Sequence, residues 1–362
     1  MPAGTNADEL EILVQTVREA VQARQRLNLH GGASKAFYGH PVQADQHVDI
    51  RGHRGITNYQ PSELVLRARA GTPLETIERE LARQRQMLAF EPPHFDGQAT
   101  LGGAVAAGLS GPRRPWSGAV RDFVLGVQII NGRGEVLNFG GQVMKNVAGF
   151  DVSRLMTGAL GTLGLITEIS LKVLPAPAQE YTLVQVCEQD EAIRRCAGLG
   201  RHALPLSGAC WFDEHLYLRF SGEEESLRQA AHRLGDARLE ERPGLWCALR
   251  DQQLDFFDDK RALWRLSVPP ATPPLALPGD VLLDWGGAQR WLFTEARPEQ
   301  VRTAAAAVGG HATLFRPAAD GIPPGLEVFH PLPEAVAALQ RRLREAFDPD
   351  GIFNPGRLGP GH

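Results

Sequence analysis

Three runs of small residues, HGGASKAFYG at 30–39, ATLGGAVAAGLSG at 99–111 and TGALGTLGLIT at 157–167, restrict this chain more than any other feature. Glycine loses more freedom on folding than any other residue, so a cluster marks a sharp bend, a packed crossing or close approach to a bound group. Each run adjoins a stretch of strand or helix character, an arrangement in which backbone amides can converge on an anion such as a diphosphate. Taken singly, each reads as an ordinary turn. Neither a Walker A sequence nor GxGxxG occurs, which argues against P-loop and Rossmann nucleotide binding.

The length of 362 residues favours about two domains, although one large α/β domain would also satisfy it. A net charge of -4 with mixed signs leaves no basic stripe for phosphate backbones, so nucleic acid is not expected as a partner. The opening MPAGTNADELEILVQTVREAV is acidic and amphipathic, unlike an export signal, and no apolar run approaches bilayer length. Cytoplasm is the expected compartment. Cys187, Cys196, Cys210 and Cys247 show no CxxC or Cys/His spacing, so neither zinc nor an iron-sulfur centre is expected in this chain. Buried reduced thiols are the expectation.

Leu10, Leu13, Val14, Val17 and Val21 recur at helical spacing, LNLH reads as a short strand, and LVLRARAG as a half-buried strand stopping at Gly71. In TPLETIERELARQRQ, Thr72 as N-cap, Pro73 at the first helical position and Glu75 make a capping box. FVLGVQIINGRGEVLNF predicts a hairpin turning at 131–134, LITEISLKVLP alternates Ile169, Leu171 and Val173 with polar residues, and Pro175 and Pro177 close the first half. Beyond 180, strands and helices alternate as two consecutive α+β units with helices against an antiparallel sheet. A tail helix over AVAALQRRLREAF ends at DPDGIFNPGRLG.

In this order and with these residues, the three runs resemble the flavin-binding domain of the vanillyl-alcohol oxidase and p-cresol methylhydroxylase superfamily. The resemblance covers about residues 10–175 and returns at 347–358. It implies an α+β architecture: a p-cresol methylhydroxylase type FAD-binding domain of two α+β subdomains at 1–175, a smaller antiparallel-sheet cap serving substrate or interface at 176–335, and a C-terminal helix and NPGR segment at 336–362 returning to the FAD domain. In such domains a GG-containing loop runs under the pyrophosphate, which points to Gly31, Gly32, Ala33, Ser34 and Lys35. An ATxGG segment passes along the flavin, pointing to Thr100, Gly102 and Gly103, with Gly108 beyond. DVSRLMTGALGTLGLIT resembles a third signature, implying Gly161 and Gly164 and an adenine met by backbone at Ile166 and Thr167. FDPDGIFNPGRL is similar to the DPxGxxNPGK ending, with Asn354 as polar contact to the flavin and Arg357 where many relatives have Lys. Ala33 stands where branches with attached flavin carry histidine, so non-covalent FAD is implied, and His30 reads as a strand-end residue.

GPRRPWSGAVRDFVLG, GGQVMKNVAGFDVSRLM, RGHRGITNY and LDWGGAQRWL further resemble FAD-binding subunits of bacterial glycolate oxidases, over essentially the whole chain. That resemblance implies oxidation of glycolate, or a similar small 2-hydroxy acid, to glyoxylate in a complex with a larger homologous FAD subunit and an iron-sulfur subunit. Electrons would pass to the respiratory chain, and the complex would be cytoplasmic or peripheral at the inner membrane through its partners. Such chemistry needs a hydride acceptor, a base for the hydroxyl proton and a cation for the carboxylate.

Arg113 and Arg114 follow the flavin loop and are the substrate-clamp candidates, with pairing to a phosphate or a neighbouring acid as the competing reading. Lys145 and Asn146 lie where relatives place residues near the isoalloxazine. His311 offers a base on a cap strand but reads by default as a satisfied core residue; Trp116, Trp264, Trp285 and Trp291 could shape a pocket or an interface, with core packing as the default, and His53 is an anion contact or a solvated turn. Relatives often carry a closely spaced histidine pair on the cap that holds a metal; no such pair is evident, no metal is expected, and no catalytic residue is assigned. A stand-alone FAD-dependent 2-hydroxy-acid dehydrogenase and a catalytically silent assembly subunit are the alternatives.

Overall fold

The computed structural model describes residues 6–95, 97–141, 149–200, 204–234, 238–239 and 244–359. The chain divides into two compact units, one of residues 1–110, 118–176 and 331–362, the other of 111–117 and 177–330.

In the first unit, α1 (Leu10–Ala23) buries Leu13, Val17 and Ala20 along one face, and Arg24 ends it in the left-handed conformation, its N–H donating to the Ala20 and Val21 carbonyls. The strands β1 (Leu27–His30) and β2 (Gln46–Asp49) pair in parallel. Next come β3 (Ile56–Gln60), β4 (Val65–Arg69), α2 (Leu74–Arg83), β5 (Gln86–Met87) and α3 (Leu101–Ala107). After α4 (Arg114–Ser117), which belongs to the second unit, the first unit continues with α5 (Val120–Phe123), β6 (Val124–Ile130), β7 (Val136–Gly140), α6 (Phe150–Leu155), β8 (Leu165–Lys172) and β9 (Leu174–Pro175). Among the described residues, β3-β4-β8-β6-β7 form an antiparallel sheet and β5-β9 a two-stranded ladder.

The hairpin between β6 and β7 forms because Asn131 Oδ1 accepts from the N–H groups of Arg133 and Glu135 at 2.9 and 3.0 Å, while Gly134 takes φ 70. Central strand β8 is covered on both faces: Ile169, Ser170 and Leu171 are all buried, so the expected alternation shows only as partial exposure of Glu168 and Lys172. Helix α2 begins one step later than the capping pattern predicts. Pro73 is its N-cap and makes no side-chain cap bond, because the buried Thr72 hydroxyl is already used, donating to the Arg69 carbonyl at 2.6 Å and accepting from Gly55 N–H at 2.8 Å. The first-turn N–H of Leu74 goes to the Ala99 carbonyl instead.

The second unit holds β10 (Gln179–Val186), α7 (Gln189–Leu199), β11 (Leu206–Phe212), β12 (His215–Gly222), α8 (Glu224–Leu234), β13 (Arg238–Leu239), α9 (Leu245–Arg250), β14 (Ala262–Ser267), β15 (Asp280–Asp284), β16 (Gln289–Thr294), α10 (Pro298–Ala307) and β17 (His311–Arg316). Among the described residues these strands form one antiparallel sheet in the order β13-β10-β12-β11-β15-β16-β14-β17. Separate apolar clusters underlie it, two of them among the described residues at opposite ends of the sheet order. Leu183, Leu218, Phe220 and Leu227 build the first, and Trp264, Leu292, Val301 and Leu314 the second, with Trp211 opposite Leu283 at the seam. The two predicted α+β units are thus present, merged edge to edge. Trp264 and Trp291 are core residues, but Trp116 is exposed, and Cys247 is exposed while only Cys210 is fully buried, so both side-chain expectations fail at those positions.

The chain returns to the first unit through α11 (Glu334–Phe347). The following segment lies beside β1: Leu27 N–H donates to the Ile352 carbonyl at 2.7 Å and Asn354 N–H to the Leu27 carbonyl at 2.9 Å. Asp348 fixes this turn by accepting from Ile352 and Phe353 N–H groups at 3.0 and 2.9 Å.

Candidate functional site

A groove of about 350 Å³ opens in the first unit, walled by residues 28–36, by Thr100, Gly103, Ala106 and Ala107 of α3, by Leu160, and by Asn354 and Arg357. Every one of Gly31, Gly32, Ala33, Ser34 and Lys35 lines it. The two glycines are required by close approach: a Cβ on Gly31 would sit 2.2 Å from Thr100 Oγ1, and one on Gly32 only 1.6 Å from the Gln98 carbonyl oxygen. Ala33 adopts φ 54, a left-handed conformation that a non-glycine residue keeps only where the surroundings impose it. Thr100 caps α3, its hydroxyl accepting from Gly103 N–H at 3.2 Å.

Not every glycine of the second run faces the groove. A Cβ on Gly103 would meet nothing but its own cap, Thr100 Oγ1, at 3.2 Å, whereas on Gly102 it would sit 2.7 Å from Ala70 Cβ. Gly102 is bare because α3 packs on the end of β4, and Gly108 because it ends α3 at φ 68 against the backbone of Gly158. In the third run, Gly161 takes φ 72 and a Cβ there would lie 2.7 Å from Asn354 Nδ2, while Gly164 crosses the Ile130 carbonyl at φ 149. Ile166 and Thr167 lie in β8 with buried side chains, and the Thr167 carbonyl accepts from Ala70 N–H at 2.7 Å; neither residue lines the groove.

Asn354 is a staple. Its Oδ1 accepts from Leu29 N–H and its Nδ2 donates to the Leu160 carbonyl, each at 2.7 Å, tying β1, the third glycine run and the C-terminal segment together. The turn that follows has Pro355 then Gly356 at φ 75, closed by Arg357 N–H donating to the Asn354 carbonyl at 3.1 Å. It delivers Arg357 to the carbonyls of Lys35, Ala36 and His40 at 3.1, 2.9 and 3.2 Å. Burial pulls its guanidinium below the ordinary arginine range. Lys35 stands 5.2 Å from the Phe95 ring and donates to Ser34 Oγ at 3.2 Å. Among the described residues lining the groove there is no carboxylate, so its formal charge is positive.

The substrate-clamp candidates lie elsewhere, in the second unit. Arg113 is buried and ion-paired with Glu180, and it donates to Ser221 Oγ at 3.1 Å. Burial opposes ionisation of Glu180, but Arg219 and Arg113 outweigh it and hold the carboxyl below its ordinary range. Arg114 stacks 4.3 Å from the Trp285 ring, whose indole N–H reaches the Gly111 carbonyl at 3.0 Å. Both arginines have internal partners, as the competing reading of a neighbouring acid anticipates for Arg113. Lys145 and Asn146 lie outside the described residues.

His311 is exposed rather than core, its ring centroid 6.2 Å from that of His330. No group of three His, Cys, Asp or Glu side chains that could hold a metal occurs among the described residues. His53 is only 2 % exposed, so it is no solvated turn; its Nδ1 accepts from Glu9 N–H at 3.1 Å and lies 3.5 Å from the Asp8 carboxylate, an anion within the chain. Among groove residues, His47 lies outside every stretch that the sequence reading singled out. His47 enters because β2 pairs in parallel with β1 and sets its ring 3.2 Å from the Asn28 amide, a pairing that no local pattern announces.

Residues 6–140 match the FAD binding domain family. Over 351 residues, 97% of this chain and 97% of the relative, the sequence is 48% identical to the glycolate oxidase subunit GlcE of Escherichia coli (strain K12). The chain belongs to the GlcE family of glycolate oxidase subunits. Members of that family are FAD-dependent oxidoreductases, and FAD is the cofactor. Further relatives are the D-lactate dehydrogenase of Anaerostipes hadrus, 29% identical over 184 residues, 50% of this chain and 37% of that protein, and the glycolate oxidase subunit GlcD of Bacillus subtilis (strain 168), 36% identical over 105 residues, 28% and 22% respectively. A solved structure of alkyldihydroxyacetonephosphate synthase superposes with TM-score 0.65 at 15% identity, covering 97% of this chain and 76% of that one, a likeness of fold.

The groove suits the cofactor's diphosphate on its own terms. Glycines let two loops meet, the wall is cationic, and the one glycine of α3 that packs against nothing else faces into it. No helix among the described residues is long and apolar enough to cross a membrane.

Proposed function

We propose that this chain is the FAD-carrying subunit of a multisubunit glycolate oxidase, which oxidises glycolate to glyoxylate and passes the electrons to an iron-sulfur partner and on to the respiratory chain. Near full-length identity of 48% with a glycolate oxidase subunit carries the reading, and the cationic glycine-walled groove supports it. Residues 1–175 and 336–362 would hold the cofactor, and 176–335 would serve as cap or interface. The larger homologous FAD subunit and the iron-sulfur subunit would complete the enzyme, in the cytoplasm or held at the inner membrane by them.

When bound, FAD accepts the hydride from the hydroxyl-bearing carbon while a base takes the hydroxyl proton. This chain's own part is to hold that group. The 31–35 loop and Arg357 offer backbone and charge to the diphosphate, Thr100 keeps α3 in place below Gly103, and Asn354 locks the segments that form the wall. Arg113 and Arg114 are engaged by Glu180 and Trp285, which favours completion of the substrate site by the partner flavoprotein over independent turnover. Anaerobic addition of glycolate to the chain purified alone and to the reconstituted complex tests this. Bleaching of the flavin absorbance only in the complex is expected; bleaching by the isolated chain would establish the stand-alone dehydrogenase instead.

A further inference from the structure

Arg357 is a cation held entirely by neutral acceptors. Nη1 donates to the His40 carbonyl, and Nη2 to both the Lys35 and Ala36 carbonyls; no carboxylate of the described residues pairs with it. Those bonds use three of five guanidinium protons, leaving the Nε–H and one Nη1–H. A half-buried cation lacking an anion is costly unless something offsets it. Its position rules out a purely internal role, because the same residue lines the groove together with the 31–36 loop whose carbonyls it grips.

The turn carrying it is also built for rigidity. Pro355, the positive φ of Gly356 and the Asn354 bonds to Leu29 and Leu160 leave the arginine's backbone little freedom. A fixed positive charge on the wall of an anion-free groove lacks only a negative ligand.

We propose that Arg357 is the built-in counter-charge of a diphosphate subsite: gripping the carbonyls of Lys35, Ala36 and His40, it preforms the 31–36 loop and supplies the positive charge that a nucleotide's diphosphate neutralises. This rests on the FAD reading for the identity of the natural ligand, while the subsite itself requires only a diphosphate. Arg357→Lys keeps charge but loses the planar fork, whereas Arg357→Met loses both.

The test uses the full chain freed of flavin, with FAD uptake followed by fluorescence quenching and inorganic pyrophosphate binding by its shift of the melting temperature. Circular dichroism of each variant confirms that it folds. Arg357→Met is expected to bind FAD roughly 10- to 100-fold more weakly, the loss of a charge-assisted contact, with a flatter dependence on ionic strength and no pyrophosphate shift. Arg357→Lys should recover part of the affinity and the full salt dependence.

Unchanged affinity and salt dependence in Arg357→Met would overturn the proposal, as would equal losses in both variants with the salt slope intact, the mark of a mere loop clip. A wild-type chain that binds pyrophosphate through Arg357 yet refuses FAD would sink the FAD reading and leave the subsite standing.

Discussion

Two arginines in this molecule are caged by carbonyl oxygens, and they differ in what the cage leaves open. Arg290 in β16 is 2 % exposed and donates through Nε to Gly287, through Nη1 to Pro273 at 2.9 Å and through Nη2 to Thr272; burial pulls its guanidinium down to about 10. Each of its nitrogens has a carbonyl partner, and the two Nη atoms pin the 272–273 loop onto the sheet. Arg357 is anchored by the same chemistry, but its nitrogens are not all spent and its side chain lines a groove. A sealed cage makes an arginine part of the scaffold, and a cage open on one side makes it a site. Desolvation alone does not separate them, since it lowers both.

The sharpest way to break that comparison is Arg290→Met. It strands three carbonyls, those of Thr272 and Gly287 in buried bonds, and should cost about 3 kcal/mol or more, seen as a fall in melting temperature of roughly 6–12 °C, with FAD affinity unchanged in the folded protein. Loss of FAD affinity without loss of stability would reverse the assignment of the two arginines.

Next in size is a pair of adjacent glycines. Gly102→Val drives a side chain against Ala70 and should destabilise by about 2 kcal/mol, while Gly103→Val, whose Cβ meets only the Thr100 hydroxyl at 3.2 Å, should leave the melting temperature of the flavin-free chain within about 2 °C and abolish flavin retention. If both variants lose stability equally, Gly103 is a packing residue like its neighbour.

The smallest effect concerns the N-terminal segment that His53 anchors. Burial holds its imidazole below the ordinary histidine value of 6.5, with Asp8 and Glu9 pulling the other way and Arg69 reinforcing the drop. A folded value lower than the unfolded one means that the stabilisation is present above about pH 6.5 and is lost as pH falls through the folded value. Protonation would also remove the acceptor that Glu9 N–H uses. Chemical denaturation of wild type from pH 7.5 down to 5 should therefore show a decline that His53→Gln lacks; identical profiles would exclude His53 as its source.

Much of this architecture was legible in the sequence because local rules govern it. The helical spacing of Leu13 and Val17, the turn at Asn131 and the Pro355–Gly356 pair all act through neighbours in the chain. Of the candidate cofactor residues, 31–35, Thr100, Gly103 and Asn354 line one groove, whereas Gly102, Gly108, Gly161, Gly164, Ile166 and Thr167 do not. What escaped depends on partners far away in sequence. Nothing near Gly102 and Gly103 tells which of them meets Ala70. Arg113 reads as a free clamp until Glu180 is placed against it, and Arg357 reads as a variant lysine until carbonyls more than 300 residues earlier close around it. Thr72 failed as a cap because Gly55 had already claimed its hydroxyl.

Where the cofactor lies is the claim from which everything else follows, and amide hydrogen exchange with and without FAD measures it directly. Slowed exchange concentrated at residues 31–36, at 100–103 and at 354–357 is the expected result. Protection by FAD that spares these amides and falls elsewhere would contradict it.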